Sequence, residues 1–462
     1  MKKIKLIALS IATFLAGNAQ TPWLHIYQNS GQYTGVPADS VASLSFSSES
    51  TDGLVDFLDL KTTDGQKKSI DTYTIDRIVH GANVPAVSIV TDRYVDEIPD
   101  KDNYLDASIT VDGRGVLDDF EGRMQIKGRG NSTWKYKKKP YRVKFDKKTS
   151  MLGFKKMKNY VFLANYIDPS QMRNVMAMKV AELVGCAYVN SMVPVDVWLN
   201  GKYRGSYLVT EKVGINSTSV DVEETQSILW EMDKNYDEDW RFKSPIYKLP
   251  VMVKDPDMDC DPNVAPEAMF EKWKADFIQF ESAVAEGRLA DVCDIDDLAR
   301  YLFVFNFACN TELEWPKSVY LYKTLDPADT ASAKYHFGPI WDFDWCYGYI
   351  SGEYNRFETT DRTLFIRENK NPGSLFFQKM LEDKQLMEAY KRVHEDFMNN
   401  RLDEFWKFFD EYTDLAEPNA SHNYQTWTLY GRHSFREHAE NLRKWIEGRL
   451  AFISTHKNYG LK

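Results

Sequence analysis

Asp342 and Asp344 stand two residues apart in "FGPIWDFDWCYG", interleaved with Trp341, Phe343 and Trp345. On a strand that spacing turns both carboxylates to one face and the rings to the other. Two close carboxylates repel unless a cation holds them, so the pair predicts a hard-oxygen site for Mg²⁺ or Mn²⁺. The bland alternative is a pair of strand-end aspartates capping a turn. About thirty residues earlier, "NTELEWPKSVYLYK" gathers Asn310, Glu312 and Glu314 after an apolar helical stretch, and Pro316 directs the chain into an extended run. Acids and an amide followed by a D-x-D pair echo phosphoryl transfer, in which one group orients the acceptor and others hold metal.

A candidate anion site lies in "MQIKGRGNSTWKYKKKPYRVKFDKK". Gly128-Arg129-Gly130-Asn131-Ser132-Thr133 forms a turn between two strand-like runs. Small residues there let backbone N–H groups approach phosphate oxygens, and Arg129 adds a two-pronged donor. A solvated lysine-rich hairpin accounts for Lys135 to Lys139. Lys127 and Lys144 differ, because each interrupts an apolar alternation where a charge needs a partner.

These residues need a scaffold of both strands and helices. Arg123 to Lys127, Arg142 to Phe145, "SIVTDRYVDEI" and "DASITVDG" read as strands. In "VPVDVWLNGKYRGSYLVTEKV", Asn200-Gly201 between alternating apolar residues predicts a hairpin with a type I′ turn. "PSQMRNVMAMKVAELVG" has helical spacing with Gly185 as its stop, and "DVCDIDDLARYLFVFNFACN" is an acidic helix start that delivers Asn310 at its end. Beyond Phe376 the apolar stripes are helical throughout. Residues 20–85 read instead as a small β-rich module, with strands around Asp64-Gly65 and a shared rhythm between "SVASLSF" and "TIDRIVH".

At 462 residues with 43% hydrophobic content, the chain has material for two to three domains. A net charge of -10 excludes broad nucleic-acid or anionic-membrane binding, so the basic turn must act locally. Met1 to Ala19 has the layout of a signal peptide, with Lys2, Lys3 and Lys5 before an apolar stretch, and implies export to the periplasm, cell surface or medium. No later run approaches the ~20 apolar residues of a membrane helix. The five cysteines and eight histidines show no disulfide or zinc spacing.

In order along the chain, "IKGRGNSTWKYKKKPYRVKFDKK", "LANYIDPSQMRNVMAMKVA", "VWLNGKYRGSYLVTEKV", "ILWEMD", "VKDPD", "PKSVYLYK" and "FGPIWDFDW" resemble the CotH family, the spore-coat-type atypical protein kinases, and most closely its secreted Bacteroidetes-like members. The resemblance covers residues 86–462 and implies an α+β, kinase-like fold with a helical C-terminal part, preceded by the β-rich module. It implies ATP with Mg²⁺ or Mn²⁺, and transfer to Ser or Thr of secreted or surface proteins. Carried over by position, Arg129 and Lys144 would contact nucleotide phosphates, Arg173 would add another cation and Glu211 would orient one of these bases, with Lys127 joining them as a cofactor-binding residue. Glu312 would take the catalytic place, Asp342 would act in catalysis and as metal ligand, and Asn310 and Asp344 would complete the metal site. Kinase-competent relatives carry Asp and Asn where this chain has Glu312 and Ser318. That departure keeps open a catalytically inactive CotH-fold protein acting in surface binding or assembly. A basic groove for an anionic glycan is a third reading.

Overall fold

The computed structural model describes residues 23–29, 32–48, 56–81, 83–114, 117–325, 333–349, 359–427 and 433–462. The expected signal segment, Met1 to Ala19, lies outside them. The architecture is mixed α+β, with the C-terminal part helical.

The first strands are β1 (Trp23–Gln28), β2 (Tyr33–Pro37), β3 (Val41–Ser47), β4 (Phe57–Thr62), β5 (Lys67–Asp71) and β6 (Ile75–Gly81). They form two three-stranded sheets, β2-β1-β6 and β3-β4-β5. The rhythm shared by two sequence segments has a structural counterpart, since β3 and β6 each follow a one-turn 3₁₀ helix, Ala38–Ser40 and Thr72–Thr74.

Seven strands follow: β7 (Ala86–Thr91), β8 (Leu105–Asp112), β9 (Phe120–Gly128), β10 (Tyr141–Thr149), β11 (Met157–Leu163), β12 (Val193–Leu199) and β13 (Lys202–Glu211). They close into a barrel, β10-β11-β13-β12-β7-β8-β9, whose β12 and β7 run parallel. Alternation sends Ile109, Ile126, Val143, Phe162, Val197 and Val209 into its buried interior. Lys127, Arg142 and Lys144 therefore lie on the outer face. Asn200 and Gly201 both take positive φ, 49° and 77°, as a type I′ turn requires. Helix α1 (Arg173–Val184) connects β11 to β12 and stops at Gly185, whose φ of 79° suits a residue without Cβ.

A further sheet has five strands in the order β15-β16-β14-β17-β18. Its strands are β14 (Ser227–Met232), β15 (Arg241–Lys243), β16 (Pro250–Asp255), β17 (Val319–Thr324) and β18 (His336–Phe337). The helices are α2 (Pro266–Ala285), α3 (Leu289–Val292), α4 (Ile295–Ala308), α5 (Pro372–Met380), α6 (Lys384–Asp396), α7 (Leu402–Thr426) and α8 (Phe435–Thr455). Phe277 of α2 meets Trp230 and Phe242 edge-on, which locks the helix to the sheet. Asp294 caps α4 by accepting the Asp297 N–H at 2.9 Å.

Two expectations are corrected. "FGPIWDFDW" does not continue as a strand: β18 ends at Phe337, Pro339 has no N–H to offer a ladder, and Asp342 adopts a left-handed φ of 66°. The lysines of "KYKKKP" are not all solvated either. Lys138 is buried, donating to Asn423 Oδ1 at 2.9 Å and to the Ser206 carbonyl, with its ammonium 4.6 Å from the Tyr207 ring centre. Burial drives its pKa well below the ordinary lysine value. It joins the barrel to α7.

Candidate functional site

A cleft of about 250 Å³ opens between the Arg129–Thr133 turn and the ends of β14, β16 and β17. Arg129, Asp233, Lys254, Lys317, Asp342 and Asp344 face it. The six arrive from five places in the chain. Arg129 directly follows β9, and Asp233 directly follows β14; Lys254 lies in β16, Lys317 precedes β17, and the two aspartates occupy the loop after β18.

The D-x-D loop is fastened by the start of α1. Asn174 Oδ1 accepts the Phe343 N–H at 2.8 Å, and Arg173 Nε donates to the Cys346 carbonyl at 2.9 Å. Arg173 is itself gripped by Asp168, which also accepts its backbone N–H at 3.0 Å. So held, the two carboxyl groups meet within hydrogen-bonding reach of each other. Burial, then the charge of Asp342, raises the Asp344 pKa well above the carboxylate range. Burial also opposes the charge of Asp342, but Lys317 outweighs it and holds that carboxyl below its usual value.

Lys317 sits between two acids, with Nζ 2.8 Å from Glu312 Oε1 and 2.9 Å from Asp342 Oδ2. Burial works against its ammonium, yet Asp342 and Glu312 keep it charged above the ordinary range. Glu312 is pushed up to about 8, chiefly by burial, and its Oε2 is buried with no hydrogen-bond partner. Asp233 rises to about 6, again through burial, although its carboxylate accepts the Asn235 N–H at 2.7 Å and the Ser318 N–H at 3.1 Å. Ser318 takes a positive φ of 53° to present that N–H.

A family model described as CotH kinase protein matches residues 126–453. The chain belongs to the CotH kinase family. No curated protein matches it. CotH membership implies the use of ATP and a divalent metal in general, and a protein substrate. The residues present fit such a group: the Asp342 and Asp344 carboxyl groups, hard oxygen ligands facing one cleft, and an Arg129 guanidinium with no ion pair among the described residues.

The residues expected from sequence are distributed unevenly across this CotH domain. Arg129, Asp342 and Asp344 line the cleft, and Glu312 reaches it through Lys317. Asn310 is engaged at both ends of its amide: Oδ1 accepts the Glu312 N–H at 3.0 Å and Nδ2 donates to the Asp342 carbonyl at 3.3 Å. It ties the two acids together by their backbones. Lys127 and Lys144 stand on the outer barrel face over Tyr104, 4.8 and 5.8 Å from its ring centre. Glu211, at the end of β13, accepts from the Thr210 hydroxyl at 3.2 Å and has no ion pair among the described residues. Glu314 points away, bound by Arg362 and Asn369, each at 2.9 Å.

Glu231, Asp233, Lys254 and Lys317 also line the cleft, beyond the site residues expected from the sequence. The signal was available for two of them. Glu231 interrupts "ILWEM" and Lys254 interrupts "PVMVKD", and a charge inside an apolar strand needs a partner. Asp233 and Lys317 lie at strand edges, where charge is ordinary and carries no such signal.

Proposed function

We propose that this chain is an exported CotH-type kinase that transfers the γ-phosphate of ATP, with Mg²⁺ or Mn²⁺, to a serine or threonine hydroxyl of a secreted or cell-surface protein. One observation carries the reading: Arg129, a cation with no ion pair among the described residues, faces the same cleft as the Asp342–Asp344 pair. Arg129 and the backbone of the Gly130–Thr133 turn would bind phosphate oxygens. Asp342 and Asp344 would hold the cation, which supplies charge stabilisation to the phosphoryl group when bound. Glu312, held beside the cleft by Lys317, would accept the proton of the attacking hydroxyl. The acceptor oxygen then bonds to the γ-phosphorus, the bond to the β,γ-bridging oxygen breaks, and ADP leaves. The signal-like layout of Met1 to Ala19 supports export.

A second reading, nucleotide binding without turnover, is favoured by the engagement of Glu312 with Lys317 and by Ser318 in place of an amide ligand. Thermal stabilisation by ATP with Mg²⁺ or Mn²⁺, in wild type and Asp342→Ala, alongside labelled-phosphate transfer, separates the two. Kinase activity requires a metal-dependent shift, lost in the variant, together with transfer. A shift without transfer leaves the binding protein, and no shift rejects both.

A further inference from the structure

Lys317 is placed where a cation would be expected. Its ammonium bridges carboxylates from two different loops at nearly equal distances, 2.8 Å to Glu312 and 2.9 Å to Asp342. The side chain is only 15% exposed, against 16% for Glu312 and 26% for Asp342, so the contact is shielded from solvent. Its Nζ also lies 6.0 Å from the Trp345 ring centre, a further favourable contact for a cation. The next residue, Ser318, is turned with its N–H bonded to Asp233 and offers only a hydroxyl, a weaker metal ligand than a carboxylate or amide oxygen.

Phosphoryl-transfer sites often use two divalent ions between acids and phosphates. Here one of the acid-to-acid gaps is already filled by a covalently attached cation. We infer that Lys317 takes the place of one divalent metal, so that the cleft binds its nucleotide with a single metal ion at Asp342 and Asp344. The inference rests on the nucleotide-binding reading above and specifies its metal count. A fixed ammonium brings one positive charge without needing ligands from Ser318. It also keeps Glu312 and Asp342 together when no metal is bound.

The test is the number of Mn²⁺ ions bound per chain in the presence of a non-hydrolysable ATP analogue, counted by equilibrium dialysis with electron paramagnetic resonance of free Mn²⁺. Wild type should bind one. Lys317→Ala should gain a second, weaker site, and Lys317→Ala combined with Glu312→Gln should lose it again. Two ions in wild type would overturn the inference while leaving the nucleotide reading intact, and that count needs no variant to fold. One ion in a folded Lys317→Ala would overturn it as well. Failure of wild type to bind the analogue at all would reject the nucleotide reading and this inference with it.

Discussion

Lys254 and Glu231 meet across neighbouring strands at the back of the cleft, Nζ to carboxylate at 2.8 Å, while the Tyr320 hydroxyl donates to the other carboxylate oxygen at 2.9 Å. Both side chains are largely buried, 20% and 8% exposed. Glu238 adds a second acid 3.1 Å from the same ammonium. An ion pair in this setting is held by geometry rather than by solvent.

Removing one partner should therefore cost more than removing both. Lys254→Met strands the Glu231 carboxylate, and breaking such a buried pair costs about 3–5 kcal/mol. The double variant Glu231→Leu with Lys254→Met should lose less than the sum of the singles. Chemical denaturation in a double-mutant cycle measures the difference. Additive losses would show that the pair is not coupled.

Glu312 makes stability depend on pH in a defined direction. The unfolded chain releases this proton near the ordinary value of 4.5, whereas the folded protein keeps it to about 8. Between those values the unfolded state binds fewer protons, so stability falls as pH rises. Glu312→Gln should flatten this fall in melting temperature between pH 5 and pH 8, a window bounded by the two pKa values. If Glu312 is the proton acceptor, kcat/KM of wild type should also climb towards pH 8 and level off above it.

Arg129 should separate ligand binding from stability. Its guanidinium lies 5.7 Å from the Trp341 ring centre, and burial lowers its pKa from the usual arginine range against the pull of Asp342. With no ion pair to lose among the described residues, Arg129→Ala should change stability by less than about 1 kcal/mol. Nucleotide affinity should fall by roughly 10- to 150-fold, the worth of one charge-assisted hydrogen bond at about 1.5–3 kcal/mol. Arg129→Lys should restore only part of it, since an ammonium cannot bind two oxygens as a planar fork does. Calorimetric titration and melting curves on the same samples check both halves.

Gly205 guards the junction between barrel and helices. Its φ is +100°, and a Cβ there would stand 2.2 Å from Asn423 Oδ1. That oxygen accepts from Lys138 Nζ at 2.9 Å and from the Ser206 N–H at 3.2 Å. Gly205→Ala should therefore destabilise through both backbone strain, about 1–3 kcal/mol, and loss of the partners of a buried lysine. A melting temperature close to that of wild type would contradict this account.

The N-terminal sheet packs onto the same helix. Arg77 pairs with Glu417 of α7, which Arg436 of α8 also contacts, and Gln425 donates to the Tyr33 carbonyl at 3.1 Å. The β-rich module thus touches the helical part directly.

Local chemistry was legible in the residues themselves. Asn200-Gly201 specified its hairpin because few residues tolerate two positive φ values, and Gly185 ended α1 for the same reason. Barrel strands and C-terminal helices followed from apolar periodicity, which reports a buried face whatever lies opposite. Arg129, Asp342 and Asp344 stood out because a glycine-flanked guanidinium and paired carboxylates are unusual combinations. Tertiary structure decided which charges converge. Lys127 and Lys144 looked like the partnered ones, but barrel closure turned them outward, while Glu231 and Lys254, in similar apolar settings, turned towards the cleft. The D-x-D pair came together through a loop pinned by Asn174 and Arg173 rather than through a strand, and Lys317 reached Asp342 across 25 residues of chain. Periodicity fixes the face of an element; which faces meet depends on long-range packing, and ion pairing in the cleft is a consequence of that packing.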